Sequence, residues 1–153
     1  MRWDWEVQVP ELRTAVFIIP GNSVKNGDER LVVLNRIAKS VIEAQRGQHP
    51  THVFTYKGKP TTRMLNKAWL RAREAVGLPQ VRVHDLKHTF GRRLRAAGVS
   101  FEDRQDLLGH RSARITTHYS AAELSKLIEA ANRVCESGER QPELVVLRRR
   151  FGT

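Results

Sequence analysis

One stretch in the second half of the sequence concentrates side chains that can bind and transfer an anion. His84, Lys87 and His88 stand at i, i+3 and i+4, a spacing that places them on one face of a single helical turn. His110 and Tyr119 follow, each after a short segment with helix-start and helix-end signals. Short, stiff elements that gather cations, imidazoles and a phenol are typical of a pocket with polar chemistry.

The charge of the chain indicates which anion such a pocket binds. Its 153 residues carry a formal net charge of +11, which favours a polyanionic partner, and double-stranded DNA is the first candidate. A merely basic protein without such a partner is the alternative. The single cysteine, Cys135, permits no internal disulfide and indicates a reducing compartment. No long apolar run is visible in the sequence, so we expect no membrane partner and a cytoplasmic location.

Cleavage of a phosphodiester would use each of these residues. A tyrosine hydroxyl can attack the phosphorus directly and stay bonded to it. Because the diester is negatively charged, the reaction needs cations at its non-bridging oxygens, and Lys87 and His110 can supply them. It also needs a base for the phenol proton and an acid for the leaving oxygen. Tyr119 is then the nucleophile, His84 a base or phosphate ligand and Lys25 the acid, and no metal or other cofactor is required.

The elements at the start of the chain must carry Lys25 to that pocket. Alternating or β-branched apolar residues predict strands over residues 3–9, Thr14–Ile19 and 29–34. Asn26-Gly27 is a strong hairpin signal between the last two strands, and it places Lys25 at the hairpin tip. We therefore expect a small three-stranded antiparallel sheet.

Helices are predicted for most of the remaining chain. Asn35 caps a helix over residues 36–46, a second helix covers residues 62–76, and a last amphipathic helix covers residues 121–135. The residues expected to face inward are Ile37, Val41 and Ala44 in the first of these; Leu65, Trp69, Ala72 and Val76 in the second; Leu124, Leu127, Ile128 and Ala131 in the last; and Leu86, Phe90 and Leu94 in the helix of His84.

Local end signals divide residues 83–119 into three helices. The signals are, in chain order, Gly98 as an end, Ser100 with Asp103 as a start, Gly109 as an end, and Ser112 as the start of a third helix with Thr116 and Tyr119. The predicted fold is α+β and mainly helical, with a three-stranded antiparallel sheet at the N-terminus and a bundle of about six helices. Residues 1–136 form the domain, and residues 137–153 form a polar linker and a basic tail.

Three short motifs, weak one by one but specific together, resemble the active-site half of a tyrosine recombinase, the phage-integrase family of site-specific DNA recombinases. The family pattern H-x-L-R-H-T stands here as HDLKHT at residues 84–89, and L-G-H stands at residues 108–110. Tyr119 follows nine residues after that histidine. Upstream, RWDWEVQ and IIPGNSVKNGDERLVVLN are similar to the family's antiparallel strands, whose hairpin lysine matches Lys25. The resemblance covers nearly the whole chain to about residue 135.

The resemblance implies a recombinase that cleaves and rejoins DNA through a 3′-phosphotyrosine, without ATP or another cofactor. Active family members work as tetramers on paired DNA sites, and residues 121–135 and 144–147 stand where the family packs onto a neighbouring subunit. Such a protein is bacterial or phage-encoded. The implied roles are Tyr119 as nucleophile, Lys25 as general acid, His84 as base or phosphate ligand, Lys87 in place of the second arginine, His110 as phosphate ligand and His88 as a brace of the pocket. From the net charge we add Arg92, Arg111 and Arg114 as phosphate contacts.

Two departures from the family pattern matter. In the family, a segment of the type T-G-x-R-x-x-E-L supplies the first catalytic arginine and precedes the strand that opens here at Arg2-Trp3. The family's core-binding domain also precedes that strand. Lys87 replaces the second arginine, keeping the charge but not the planar fork that grips two phosphate oxygens. We therefore expect the 153-residue chain to show little or no strand exchange when purified.

Two alternatives remain open from the sequence. His84 and His88, at i and i+4, also resemble a helical zinc motif, with His110 or His118 as a third ligand. The other alternative is a non-catalytic DNA-binding remnant of a decayed integrase, because a decayed gene would keep the same side chains for a time.

Overall fold

The chain begins with a three-stranded antiparallel sheet, as predicted. The computed structural model describes residues 1–25, 27–61, 66–109 and 119–136. The strands of this sheet are β1 (Glu6–Val9), β2 (Thr14–Ile19) and β3 (Arg30–Val32), paired in the order β1-β2-β3. The middle strand β2 has the predicted bounds, because its run of β-branched and aromatic residues is covered on both faces.

The first strand is shorter than predicted. Trp3–Trp5 forms a 3-10 turn, and β1 begins only at Glu6. The backbone N–H of Trp3 donates to the Thr51 carbonyl at 3.0 Å, and its indole N–H donates to the His49 carbonyl at 3.1 Å. The start of the chain is thereby tied to residues 49–52 instead of β2, which ends the alternating pattern early.

Strand β2 divides the core into two layers. Successive strand residues point to opposite faces, and both Val16 and Phe17 are buried. Val16 packs in a cluster with Leu124 on one face, and Phe17 packs with Ile42 and Val53 on the other. The sheet is therefore covered on both sides, which positions its hairpin relative to the helices.

The first helix, α1 (Arg36–Glu43), buries a different face from the predicted one. Its predicted cap is confirmed, since the Asn35 side chain accepts the Ala38 N–H at 2.8 Å. Ile37 and Val41, however, are 57% and 49% exposed, Ala44 is also exposed, and Ile42 is only 5% exposed. Five residues correspond to about 140° of rotation around a helix, so Ile37 and Ile42 cannot both face the sheet. Ile42 is the residue that packs against Phe17 and Val53.

A second hairpin and helix α2 (Asn66–Ala75) follow. The hairpin consists of β4 (Thr55–Tyr56) and β5 (Lys59–Pro60). The predicted inward face of α2 is wrong: the helix has no buried residue, Ala72 is exposed, and Val76 beyond its end is 68% exposed. Polar bonds fix α2 instead, since Trp69 and Arg73 both donate to the Val81 carbonyl, at 3.2 and 3.0 Å. Leu65 lies outside the described residues.

Three further helices, α3 (Val83–Ala96), α4 (Phe101–Leu108) and α5 (Ala121–Glu136), pack around Leu94, Val99 and Ala130. Gly98 ends α3 in a left-handed conformation (φ 71°), and the Val99 N–H donates to the Leu94 carbonyl, which confirms the predicted helix end. The predicted start of α4 is also confirmed, because the Ser100 hydroxyl accepts the Asp103 N–H at 3.1 Å.

Other predictions for the helical part have mixed outcomes. Leu86 does not point inward but is 49% exposed, whereas Leu94, Leu124, Leu127 and Ala131 are buried as predicted. The third predicted helix, which opens at Ser112, and the tail 137–153 lie outside the described residues, and Tyr119 itself is not helical. In the described part of the chain no helix has the length and apolarity needed to cross a bilayer.

The corrected face of α1 can be tested with two isoleucines on the same helix. We expect Ile42→Ala to lower the free energy of unfolding by about 2–5 kcal/mol, because it empties a site beside Phe17. Ile37→Ala removes an exposed side chain and should change it by about 0.5 kcal/mol or less. Chemical denaturation measures both, and a larger loss for Ile37→Ala would restore the face predicted from sequence.

Candidate active site

Helix α3 presents the two histidines and the lysine that the sequence singled out. The His84 and His88 rings lie edge to face with centroids 4.8 Å apart, as their i, i+4 spacing predicts. Both histidines are exposed, and Lys87 between them is half-buried. Arg92, one turn beyond His88, is also exposed. This end of α3 is therefore an accessible basic surface.

Asp85, within the same turn, holds the start of α3. Its carboxylate accepts the backbone N–H of Arg82 at 2.8 Å and forms an ion pair with the Arg82 guanidinium at 3.1 Å. A carboxylate is favourable at this position because the first helical N–H groups carry partial positive charge. The Arg82 hydrogen bonds hold the pKa of Asp85 below its usual value.

The zinc alternative gains no support from the described residues. They contain no group of three His, Cys, Asp or Glu side chains arranged to hold a metal ion. His110 and His118, the third ligands considered from the sequence, lie outside the described residues. The carboxylate between the two histidines is bonded to Arg82.

A closed loop between β2 and β3 carries Lys25. The Ser23 N–H donates to the Pro20 carbonyl, the Val24 N–H to the Gly21 carbonyl and the Gly27 N–H to the Val24 carbonyl, at 2.9 to 3.0 Å. A Cβ at Gly21 would overlap the Gly27 carbonyl oxygen, so only glycine permits the two sides of the loop to approach so closely. Lys25 is exposed, as predicted for the hairpin tip, and Asn26 lies outside the described residues.

The end of α4 joins this loop to α3. Arg30, the first residue of β3, donates from its guanidinium to the Leu108 carbonyl at 2.7 Å. The Leu108 side chain packs on α3 at Gly91, where an added Cβ would lie 3.1 Å from it. Gly91 follows His88 by three residues and Lys87 by four, which places it on the same side of α3. Gly109 then turns the chain in a left-handed conformation (φ 58°) immediately before His110.

Tyr119 is fixed by the start of α5. The Ser120 hydroxyl accepts the Glu123 N–H at 3.2 Å, and the Glu123 carboxylate accepts the Ser120 N–H at 2.9 Å, which is a capping box. Tyr119 precedes this cap, is half-buried and packs against a cluster that includes Val9 and Leu124. A hydrophobic staple is a contact between the apolar side chain before the cap and the apolar side chain at the fourth helical residue. Tyr119 and Leu124 have this arrangement.

The groove beside Tyr119 is acidic. It lies between α4 and α5, and one of its carboxylates, Asp103, is 3.6 Å from the Lys126 ammonium group. Its lining consists of Ser100, Glu102, Asp103, Asp106, Tyr119, Glu123, Lys126 and Leu127. Among the described lining residues, four carboxylates against one ammonium group make a poor site for a phosphate. The structure thus joins the β2–β3 hairpin, which carries Lys25, to the α3 face through Arg30 and Leu108. Tyr119 lies in a groove whose described lining includes neither Lys25 nor a residue of α3.

Some site residues escaped the sequence prediction, and others lie outside the described chain. His110, Arg111 and Arg114 belong to the second group. The capping box at α5 was missed, although Ser120 and Glu123 form a pattern that the sequence displays. Arg30 was also missed, and no local signal could have found it, because its partner Leu108 is 78 residues away.

A small antiparallel sheet with a lysine-bearing hairpin, packed on a helical bundle, is the arrangement of an integrase-like α+β core. Residues 3–126 match the Phage integrase family. Because that match spans most of the chain, the protein belongs to the phage integrase family of tyrosine recombinases.

Named relatives agree with this assignment. The chain is 30% identical over 144 residues to the integrase of Salmonella phage P22, and the alignment covers 86% of this chain and 37% of that protein. It is 29% identical over 118 residues to the tyrosine recombinase XerC of Rhizobium meliloti (strain 1021), covering 71% of this chain and 37% of that protein. The chain thus aligns with little more than a third of the length of either relative. No solved structure gives a significant match.

The cap of α3 predicts a pH effect on stability. A carboxyl whose pKa is lowered by folding stabilises the fold while ionised, so the contribution of Asp85 is complete above its ordinary value of 3.8 and is lost as the pH falls through the lowered value. Between roughly pH 5 and pH 2, the wild type should lose more unfolding free energy than Asp85→Asn, which cannot titrate. Glu11→Gln, an exposed change elsewhere, should follow the wild type. Parallel curves for the wild type and Asp85→Asn would contradict this assignment.

Proposed function

We propose that this domain serves DNA strand cleavage and rejoining in site-specific recombination, with Tyr119 as the nucleophile, and that the 153-residue chain alone completes little or no strand exchange. Membership of the phage integrase family supports the reaction class. The observation that carries the proposal is the convergence at Leu108, whose carbonyl binds Arg30 of the lysine hairpin and whose side chain contacts α3. The segment of Lys25 and the basic face of α3 are thereby held by one residue, two positions before His110.

The reaction divides into two balanced steps. The Tyr119 hydroxyl attacks the phosphorus, an O–P bond forms, and the bond to the 5′ oxygen breaks. His84 takes the phenol proton or binds phosphate, and Lys25 gives a proton to the leaving 5′ oxygen. The 5′ hydroxyl of a second strand then attacks the phosphotyrosine and releases Tyr119, so the energy of the diester bond is kept.

Cations around the phosphate lower the barrier. Lys87 and His110 contact its non-bridging oxygens, where charge increases in the transition state, and His88 braces the pocket. Arg92, Arg111 and Arg114 bind neighbouring phosphates, in keeping with the net charge of +11. We further propose that the intact recombinase acts as a tetramer on DNA, in the cytoplasm, and that residues 137–153 pack on a neighbouring subunit.

A covalent adduct is the direct test of the proposal. The probe is a library of nicked duplexes with randomised sequence around the nick, in which a cleaved strand diffuses away and traps even slow turnover. We expect a detergent-stable protein–DNA adduct from the wild type and none from Tyr119→Phe. Tyr56→Phe is the matched control, since the chain has only two tyrosines and Tyr56 is 57% exposed on the second hairpin. An adduct that persists in Tyr119→Phe would refute the assignment of the nucleophile.

A change of leaving group can distinguish Lys25 as a proton donor from Lys25 as a phosphate ligand. A 5′-bridging sulfur leaves as a thiolate, whose conjugate acid has a pKa of about 8.5, so it needs little help from a proton donor. We expect Lys25→Ala to slow adduct formation about 100-fold or more on the oxygen substrate and much less on the sulfur substrate. Lys59→Ala, another exposed hairpin lysine, should leave both rates unchanged. Equal losses on both substrates would show that Lys25 is not the acid.

A non-catalytic DNA-binding protein is the second candidate. The acidic groove beside Tyr119 favours it, because four carboxylates oppose the approach of a phosphate to that side chain. This candidate predicts gel-shifted DNA whose binding weakens steeply with salt, and no covalent adduct on any member of the library.

A further inference from the structure

We infer that Arg30 is a positioning residue for the strand-cleavage site, because it fixes the Leu108–Gly109 turn against the hairpin strand that follows Lys25. The inference rests on the proposed function, and it assigns Arg30 a task that neither the sequence motifs nor the family resemblance gave it. Arg30 touches no reacting atom in this scheme. It acts on Lys25, five residues before it, and on His110, the residue after Gly109.

The Arg30 contact lies where a cation is most effective. The last carbonyls of a helix have no intrahelical partner and carry partial negative charge. The Arg30 guanidinium donates to the Leu108 carbonyl at 2.7 Å in a half-buried setting. A charged donor at a helix C-terminus, in a partly buried site, makes a stronger hydrogen bond than a neutral donor in water.

Gly109 makes room for this contact. An added Cβ at Gly109 would overlap Nε, Cζ and Nη2 of Arg30, so the guanidinium lies directly over the glycine. The left-handed conformation of Gly109 already disfavours a side chain. The turn therefore needs glycine for two separate reasons, and one of them is Arg30.

Two contacts on opposite sides then hold Leu108. The carbonyl is bound by the hairpin strand, and the side chain packs on Gly91 of α3. Loss of the Arg30 bond removes this link between the turn and the hairpin, while the Leu108 side chain still packs on Gly91. A displacement of about 1 Å in a catalytic group can reduce the rate about 100-fold, so the site is sensitive to this bond.

The kinetic test separates positioning from DNA contact. In the full chain, Arg30→Ala should reduce Tyr119 adduct formation at saturating DNA by about tenfold or more, with DNA affinity and its salt dependence changed no more than in Arg71→Ala. Arg71 is an exposed arginine on α2 and serves as the charge control. Arg30→Lys keeps a charged donor group without the planar fork and should recover part of the rate. A loss of affinity with a reduced salt slope would show instead that Arg30 binds DNA phosphate.

Glycine substitution tests the same contact from the other side. Gly109→Ala should displace the guanidinium and reproduce the defect of Arg30→Ala. The two changes combined should then cost less than the product of their separate rate losses, because each removes the same bond. If the rate loss of the double variant equals the product of the two separate rate losses, the two residues act independently and the inference is overturned.

A spectroscopic measurement keeps the inference testable without turnover. Imidazole NMR signals of the six histidines should show a shift of His110 in Arg30→Ala but not in Arg71→Ala, with His49 and His52 as internal controls of the fold. If the wild type forms no Tyr119 adduct, the proposed function fails and the His110 signal decides whether Arg30 fixes the turn. An unchanged His110 signal in Arg30→Ala overturns the inference, whatever the cleavage assay shows.

Discussion

The carbonyl of Leu108 is the point on which the arrangement of the site depends. It belongs to the last turn of α4, where a helix leaves its carbonyls without partners, and Arg30 of β3 binds it at 2.7 Å. On the other side the same residue packs on the bare backbone of Gly91 in α3. One residue thus connects the sheet, helix α3 with its two histidines, and the Gly109 turn.

The sheet transmits this constraint to the rest of the fold. Because β2 is buried on both faces, through Val16 on one side and Phe17 on the other, the hairpin cannot rotate without exposing a core residue. The cluster around Val16 includes Leu124 of α5 and contacts Tyr119. The hairpin that carries Lys25 and the residue Tyr119 are therefore anchored to the same packed strand β2, although Lys25 and Tyr119 lie 94 positions apart in the chain.

Local signals predicted the element ends well, whereas packing decided the buried faces. Asn35, Ser100 and Gly98 stop or start helices through bonds to neighbouring residues, so the sequence suffices to find them. The buried face of α1 depends on which isoleucine fits beside Phe17, which no local pattern contains. The α3 face of the site was predictable because i and i+4 always adjoin on a helix, whereas Arg30 and Leu108 meet only through the tertiary fold.

The α3 surface and the groove beside Tyr119 differ in charge. The α3 surface offers imidazoles and a lysine, and the groove beside Tyr119 offers mainly carboxylates. These charges favour an anion at α3 and disfavour one in the groove, so the proposed reaction requires a diester that is bound at α3. The capping box of Ser120 and Glu123 fixes the backbone next to Tyr119.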